Sequence, residues 1–284
     1  MKNGEAAAIF MYMSVAYAIN YPLLKIAFQL DPPMVILFLR IFFALLGSLP
    51  FIILNFRRFP HGLKDNLLVF TVSMLNIVGF MGLWFVGESL VSASLSSILV
   101  YTFPIFNVLL SILFVGERPR WTAYAGLAFG FLGVVLVSLD NLEASGILGI
   151  ALLILSALCW SIGTVVFKKA TPHMDVGAVN VMQYVYSLPF LLFLALISPG
   201  FSLGGLTPTV IGIGAYIGIV GTYLPYLAYL LLFRNYSISK ISPFFFLVPA
   251  ISVILSFIFI GEAISLTTIL GFVVISGGIL LSNR

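Results

Sequence analysis

Long apolar runs fill most of the chain, and proline, glycine and small clusters of charged residues separate one run from the next. A helix that crosses about 30 Å of hydrocarbon needs roughly 20 apolar residues. Ten runs of this kind can be placed, near residues 5–28, 33–55, 66–86, 90–114, 120–138, 146–168, 176–197, 208–233, 238–260 and 264–282. The pattern therefore predicts an all-α integral membrane protein with ten transmembrane helices.

Composition indicates that lipid surrounds most of the surface. Of the 284 residues, 62% are hydrophobic and 8% are charged, whereas about 25% are charged in a typical soluble domain. The lipid bilayer is therefore the first partner that we expect. The sequence pI of 9.2 does not indicate nucleic acid as a partner, because the basic residues stand singly or in pairs between apolar runs, as they do in membrane loops.

The sequence offers no chemistry for a metal or a cofactor. Cys159 is the single cysteine, so neither an intramolecular disulfide nor a cysteine-based metal cluster can form. The chain has no His-Glu-x-x-His pair, no Gly-x-Ser-x-Gly turn and no phosphate-binding loop. We therefore expect no cofactor, no bound metal ion and no catalytic residue.

The basic residues also predict an orientation. If the chain has ten helices and begins inside the cell, eleven of the thirteen Lys and Arg residues fall in inner segments. Lys25 is then in an outer segment, where Glu88 and Glu262 are also expected, and Arg40 lies within a helix. Cytoplasmic loops of membrane proteins carry this excess of positive charge. The distribution predicts a multi-pass protein of the cell membrane with both termini in the cytoplasm.

The two halves of the chain resemble each other. Residues 104–117, from Pro to Gly-Glu, match residues 249–262 at an offset of 145 residues, and two glycines of the following segment recur at the same offset. Each copy spans five predicted helices, and because this number is odd, the second copy must enter the membrane from the opposite side. The sequence therefore predicts two inverted five-helix repeats, residues 5–138 and 146–282, an arrangement typical of secondary transporters.

These features resemble the EamA-like family of the drug/metabolite transporter superfamily. In each half a helix with a proline near its start ends on a Gly-Glu pair; the pairs are Gly116-Glu117 and Gly261-Glu262. An Ala/Ser-rich run leads into Tyr101 in the first half, whereas residues 235–240 of the second half depart from this pattern. The resemblance covers the whole chain. It implies an exporter of amino acids or other metabolites with a central cavity lined by the inner helices of each half.

Arg40 is the first candidate for solute binding. It lies about seven residues into the second helix, roughly 10 Å below the outer surface at 1.5 Å per residue. A charge at this depth usually faces protein or a wet cavity. Arg40 therefore has three interpretations: it docks a carboxylate or another anion, it extends its side chain to the outer interface, or it caps backbone carbonyls.

Aromatic and amide residues at mid-membrane depth are the other candidates for the cavity lining. They are Tyr17, Asn20, Asn76, Phe80, Trp84, Tyr101, Trp160, Gln183, Tyr223, Tyr226 and Tyr229. Tyrosine offers an apolar ring with a polar tip, and amides in lipid must face protein or water. Together they suit a neutral or zwitterionic solute with an aromatic part. The alternative is that they form helix–helix hydrogen bonds and ordinary packing contacts.

Other residues predict how the helices bend, pack and end. Pro22, Pro104, Pro225 and Pro249 lie within predicted spans, where proline bends a helix. The pairs Gly126-x3-Gly130 and Gly214-x3-Gly218 allow two helices to approach closely. The carboxylates of Glu117 and Glu262 can cap the N-terminus of the next helix, or they can carry a proton in coupled transport.

The function that these observations predict is secondary transport. We expect a monomeric exporter of small metabolites such as amino acids, which works by alternating access between its two repeats. A membrane-embedded enzyme is an alternative, and it would need paired polar catalytic groups near one interface. A structural membrane protein is a second alternative, but it would not need an inverted duplication.

Overall fold

The computed structural model describes residues 3–117, 120–138 and 144–282, and in these ranges the chain is helical and has no strand. The helices are α1 (Asn3–Ala27), α2 (Pro33–Gly47), α3 (Leu49–Asn55), α4 (Leu63–Leu90), α5 (Ala93–Val115), α6 (Trp121–Ser138), α7 (Ala144–Ala170), α8 (Val176–Leu196), α9 (Pro208–Asn235), α10 (Ile238–Ile241), α11 (Leu247–Ile260) and α12 (Leu266–Ser282). Short 3₁₀ turns occupy Phe56–Arg58, Leu203–Gly205 and Ser242–Phe246.

Six of the described helices are long and apolar enough to cross a membrane, namely α1, α4, α5, α7, α8 and α9. The pair α2 and α3 adds a seventh if it forms one span, bent by 40° beside Pro50, which cannot donate a backbone hydrogen bond. Shorter apolar helices lie in α6, α11 and α12. The chain is therefore a multi-pass membrane protein, and the count of ten spans stays a prediction.

One predicted loop is part of a helix. The sequence suggests a break at residues 87–89, but α4 continues through Glu88 to Leu90. The break comes at Val91, and Ser92 then caps α5 by accepting a hydrogen bond from the backbone N–H of Leu95 at 3.1 Å. Serine at this position satisfies a free N–H of the new helix. Glu88 is consequently a buried residue of α4 and not a residue of an outer loop.

Three long helices contain a π turn; one is at Ser111–Val115 in α5, and the other two lie at equivalent positions in α4 and α9. The turn in α4 spans Met74–Gly79 and the turn in α9 spans Ile219–Tyr223. Their first residues are 145 positions apart, which is the offset of the sequence repeat. A π turn interrupts the regular pattern of backbone hydrogen bonds and often occurs at functional sites. The repeat is therefore visible in local backbone geometry as well as in sequence.

The two halves of the chain pack closely against each other. Helix α2 packs on α8 and α9, α4 on α7, α1 on α11, and α6 on α12. Glycines permit two of these approaches. Where α2 crosses α9, a Cβ atom built at Gly218 would lie 2.5 Å from the carbonyl oxygen of Arg40. Gly214 lies at the same crossing, next to Leu39. A Cβ atom at Gly278 would lie 2.8 Å from the carbonyl oxygen of Gly126, and Gly130 also lies at this crossing.

The four prolines of interest lie in or beside irregular backbone. Pro22 is inside α1, Pro104 follows a turn at residues 101–102 of α5, Pro225 follows the π turn of α9, and Pro249 is the third residue of α11, after a 3₁₀ turn. Proline has no N–H and therefore leaves the carbonyl one turn earlier without its helical partner. The last three prolines thus each begin a helical segment after a local irregularity.

Candidate functional site

A narrow closed cavity lies between α1, α2, α4, α5, α7 and α9. It is lined by Tyr17, Tyr21, Arg40, Phe80, Met81, Trp84, Tyr101, Trp160 and Tyr226. The space has room for about one water molecule at most, whereas ligand pockets usually enclose about 300–1,000 Å³. The conformation described here is therefore closed around the cavity, which is too small for a ligand of ordinary size.

Arg40 brings a positive charge to the cavity wall. Its side chain is 1% exposed, so it does not extend to the outer interface. Nε donates a hydrogen bond to Oγ1 of Thr222 at 2.5 Å, and Nη2 donates to the carbonyl oxygen of Gly221 at 3.3 Å. Both acceptors belong to the π turn of α9. Nη1 has no hydrogen-bond partner within the described ranges, so Arg40 caps a carbonyl and keeps one nitrogen free.

Aromatic rings surround the guanidinium and the rest of the cavity. Its Cζ atom lies 5.0 Å from the ring centroid of Trp84 and 5.5 Å from that of Phe85, within the range of cation–π attraction. Across the cavity Trp160 stacks on Phe80 with centroids 4.3 Å apart. The hydroxyl of Tyr17 is buried and has no partner in the described part of the chain. The wall is thus apolar, with a few polar atoms still available to a ligand.

Several predicted residues hold helices together and do not line the cavity. The amide oxygen of Gln183 accepts hydrogen bonds from Nδ2 of Asn76 at 3.4 Å and from the hydroxyl of Tyr226 at 3.2 Å. Nδ2 of Asn20 donates to the carbonyl of Gly221 at 3.0 Å. Of these residues only Tyr226 also lines the cavity.

Tyr229 and Tyr223 also lie away from the cavity wall. The hydroxyl of Tyr229 shares a short hydrogen bond with Thr164, and its ring lies 5.2 Å from that of Trp160. The Tyr223 side chain is only half-buried, and its backbone carbonyl accepts a hydrogen bond from Asn180. Seven of the twelve predicted residues therefore line the cavity and the other five do not.

Sequence reasoning missed two lining residues, Tyr21 and Met81. It also placed no acid near Arg40, whereas Glu88 is fully buried close to it. A signal was present in the sequence. Tyr17, Tyr21 and Lys25 follow one another at intervals of four on α1, and so do Phe80, Trp84 and Glu88 on α4. Residues four apart share a helix face, so the aromatic faces carry a charged residue one turn further on.

Glu88 lies behind Trp84. Its Oε2 accepts hydrogen bonds from Nε1 of Trp84 at 2.5 Å and from Oγ of Ser96 at 3.0 Å. Its Oε1 has no partner in the residues that the structure describes. Nζ of Lys25 donates to the backbone carbonyl of Glu88 at 2.5 Å. Glu88, expected in an outer segment, is therefore a buried acid of α4 close to Arg40.

The Gly-Glu pairs cap helices in the opposite half of the chain. Glu117 accepts hydrogen bonds from the backbone N–H groups of Ile238 at 2.9 Å and Ser239 at 3.0 Å, where α10 begins. Glu262 accepts from the N–H of Ser94 at 3.3 Å, where α5 begins. Ser94 and Ser239 are 145 residues apart, as are the two glutamates. The expected cap on the next helix is therefore wrong, and the two halves exchange caps.

Each capped helix start lies beside a lysine that caps the end of another helix. Nζ of Lys168 donates to the carbonyl oxygens of Phe233 and Tyr236 at the end of α9. Lys25 does the same at Glu88 near the end of α4, and Phe233 and Glu88 are again 145 residues apart.

Gly116 and Gly261 precede the glutamates with φ angles of 78° and 66°, a conformation that glycine adopts without strain.

The Glu117 carboxyl lies outside the apolar spans and is half-buried. Burial acts to raise its pKa, but hydrogen bonds from the backbone of Ser239 and Ile238 outweigh burial, so its pKa lies below the ordinary value. The capped geometry therefore favours the ionised carboxylate.

Within the described ranges, no group of three or more His, Cys, Asp or Glu side chains could hold a metal ion.

Comparison with known proteins gives a consistent family assignment. A family model described as the EamA-like transporter family matches residues 5–139 and 147–284. The chain is 29% identical over 282 residues to the uncharacterized transporter YvbV of Bacillus subtilis, covering 98% of this chain and 92% of that protein. It is 31% identical over 250 residues to the uncharacterized transporter YdfC of the same species, covering 85% of this chain and 79% of that protein.

More distant similarities extend the same pattern. The uncharacterized inner membrane transporter YedA of Escherichia coli is 24% identical over 254 residues, covering 88% of this chain and 81% of that protein. A solved crystal structure is similar with a TM-score of 0.73 at 16% identity, covering 99% of this chain and 98% of that one. At this identity the likeness concerns the fold alone.

Proposed function

The chain belongs to the EamA-like transporter family, and on this premise we propose that it is a secondary transporter of small metabolites that bear a carboxylate, such as amino acids. The observation that carries the proposal is the free Nη1 of Arg40, a buried residue of the cavity wall. A cation in a low-dielectric cavity attracts anions strongly. A carboxylate that reaches Nη1 would complete the hydrogen bonding of the guanidinium.

The aromatic wall gives the proposed solute its second contact. Trp84, Trp160 and Tyr101 present ring surfaces to the same space as Arg40. Rings bind apolar groups, and tyrosine and tryptophan keep a polar atom for orientation. The solute that fits best is therefore a small carboxylate with an apolar or aromatic side chain.

The mechanism that we propose is alternating access between two inverted five-helix repeats, residues 5–138 and 146–282, with ten membrane spans in all. The exchanged caps of Glu117 and Glu262 support it, because each holds a helix of one half against the other half. In this account both caps are formed while the cavity is closed. Release of the Glu117 cap opens the inner face, and release of the Glu262 cap opens the outer face.

In the proposed setting the protein is a monomer in the cell membrane, with both termini in the cytoplasm, and exports its solute as the family resemblance implies. Its partners are the lipid bilayer and the solute, and nucleic acid is not among them. The relatives named as transporters favour transport over an enzymatic or a structural role. A cavity between helices also suits transport better than a purely structural role.

Counterflow in liposomes tests the proposal. Purified protein is reconstituted into liposomes that are loaded with an unlabelled mixture of the standard L-amino acids, and entry of the same radiolabelled amino acids is followed one at a time. We expect at least one amino acid to enter faster than into protein-free liposomes. Entry equal to that of protein-free liposomes for every amino acid would contradict the proposal, provided that the protein elutes as a single species in detergent.

A further inference from the structure

We propose that Glu88 is a binding site shared in turn by a proton and by the ammonium group of the solute, so that the protein exchanges protons for zwitterionic amino acids. This inference rests on the proposed function and adds a coupling ion and a narrower solute class to it. Arg40 holds the carboxylate, Glu88 holds the ammonium group, and Trp84 lies between the two sites.

The hydrogen bonds of Glu88 show where a proton or a cation would bind. The side chain is fully buried, and both of its donors, Trp84 and Ser96, point at Oε2. Oε1 is left without a partner by the described residues. A buried carboxylate oxygen without a partner is costly. A proton on Oε1 removes the charge, and an ammonium group at Oε1 compensates it, so either one relieves the cost.

The charged neighbours of Glu88 favour a zwitterion over a simple anion. Lys25 of α1 and Arg40 of α2 act on its charge, and Glu262 acts on Lys25. With all four groups ionised, the two positive charges balance the two negative charges. The Tyr21 hydroxyl lies close enough to Glu88 to interact with its charge. A neutral cluster with a positive group at one end and a negative group at the other matches a zwitterionic amino acid.

Among the residues that the structure describes, Lys25 and Arg40 are the charged groups that act on Glu88. Helix α5 contributes the hydroxyl of Ser96. Helix α7 packs against this part of α4 through Gly149 and Leu153, which lie within 3.1 Å of a Cβ atom built at Gly87. The protonation of Glu88 is therefore governed by its burial, by the charges of Lys25 and Arg40, by the hydrogen bonds from Ser96 and Trp84, and by whatever occupies Oε1.

Trp84 connects the closed cavity to Glu88. One face of its ring carries the Arg40 guanidinium at 5.0 Å, and its Nε1 donates to Glu88 at 2.5 Å. Glu88 itself does not line the cavity. A solute that binds Arg40 must move the Trp84 ring to bring its ammonium group to Oε1. Because proton and ammonium group then compete for one oxygen, the proton leaves to the side from which the solute enters.

The carboxylate is present in the first half of the chain and is not repeated at the equivalent position of the second half. The residue equivalent to Glu88 at the offset of 145 is Phe233, which lies among aromatic rings of the second half, 4.6 Å from Tyr229 and 5.7 Å from Phe245. A lysine donates a hydrogen bond to the backbone carbonyl of Glu88 and to that of Phe233, but only Glu88 carries a carboxylate. The Glu88 side chain is therefore not needed for the capping geometry, and its carboxylate is free for another role.

Two measurements test this inference, and the first requires no solute. Infrared spectra of the full-length protein in lipid, recorded from about pH 5 to pH 9, report protonated carboxyl groups directly. We expect wild type to show a titrating buried carboxyl band that Glu88→Gln lacks, that Glu88→Asp keeps at a shifted midpoint, and that the cap variant Glu117→Gln keeps unchanged. Identical titrations in wild type and Glu88→Gln would overturn the proton site.

The second measurement uses an amino acid that wild type carries in the counterflow screen. Below the midpoint of the infrared titration, the apparent affinity of wild type should fall by about tenfold per pH unit, as competition with a proton requires. Glu88→Gln should bind more weakly, show no pH dependence and lose uptake driven by a pH gradient. Affinity that rises as pH falls, or gradient-driven uptake by well-folded Glu88→Gln, would overturn the exchange and leave the proposed transport function intact.

Discussion

Arg40 and Thr222 join two helices that belong to different halves of the chain. Nε of Arg40 lies 2.5 Å from Oγ1 of Thr222, a residue 182 positions later. The Thr222 hydroxyl donates its own hydrogen to the carbonyl of Ile217, two residues before the π turn, at 2.7 Å. The Thr222 oxygen therefore accepts the hydrogen bond from Arg40 through a lone pair. This arrangement fixes the guanidinium against α9 and leaves Nη1 without a partner in the described residues, so the position of Arg40 in the cavity wall depends on close packing between α2 and α9.

The first prediction concerns that packing. Gly218→Ala should destabilise the protein by about 1–3 kcal/mol, because the added Cβ atom would lie 2.5 Å from the carbonyl oxygen of Arg40. Gly212→Ala is the matched control on the same helix, since its Cβ atom would meet nothing within 4 Å. Thermal unfolding in detergent measures both. Equal melting temperatures for the two variants would show that α2 and α9 are not closely packed in solution.

The second prediction separates the two caps. In a Cys159→Ala background, Glu117→Gln should increase the reaction of Thr164→Cys with an impermeant thiol reagent added from inside. Glu262→Gln should increase the reaction of Ser96→Cys from outside. Both reporter positions are fully buried in the closed conformation, and loss of a charge-assisted hydrogen bond is worth about 1.5–3 kcal/mol. Each glutamate variant serves as the control for the other, and equal effects on both reporters would contradict separate inner and outer caps.

The third prediction gives the pH dependence of the Glu117 cap. Its pKa is lowered in the capped state, so its contribution to stability is present above the ordinary Glu pKa of about 4.3 and is lost as pH falls through the lowered value. Wild type should therefore melt higher than Glu117→Gln at neutral pH, and the difference should begin to shrink only as pH falls below about 4.3 and should vanish once pH is below the lowered pKa. A difference that shrinks already well above about pH 4.3, or one that is still undiminished at the lowest pH at which both proteins stay folded, would show that the ionised carboxylate does not carry the cap.

The fourth prediction concerns orientation. The distribution of basic residues puts the segment 139–145 outside the cell; residues 139–143 of this segment lie outside the described residues. In the Cys159→Ala background, Leu142→Cys should react with an impermeant thiol reagent in intact cells. Cysteines added at the two termini should react only after permeabilisation. Labelling of Leu142→Cys that requires permeabilisation would reverse the topology.

Much of the architecture follows from sequence because it depends on residues with special backbone properties. Prolines, glycines and Gly-Glu pairs recur at one offset, and the structure gives them equivalent local geometry, such as the positive φ angles of Gly116 and Gly261. Apolar length also predicted where most helices lie. The helix ends were less predictable, because Glu88 reads as a loop residue in the sequence but its burial by neighbouring helices keeps it in α4.

The site was only partly predictable for a related reason. Residue type shows that Tyr17, Trp84 and Arg40 need polar or cavity surroundings, but it does not show which partner satisfies each of them. Asn76 and Gln183 pair with each other across helices, and that pairing depends on helix rotation, which apolar runs do not specify. A face analysis at intervals of four residues is the sequence signal that would have added Tyr21 and Glu88.

The central claim is that Arg40 binds the carboxylate of the transported solute, and counterflow by Arg40 variants tests it most directly. Arg40→Gln should lower transport per folded molecule by about 10- to 100-fold, which corresponds to loss of one charge-assisted hydrogen bond. Arg40→Lys should be impaired less, because it keeps the charge but not the planar fork. Arg57→Gln, at an exposed position, should transport like wild type. Wild-type transport of a carboxylate solute by Arg40→Gln that elutes as a single well-folded species would contradict the claim.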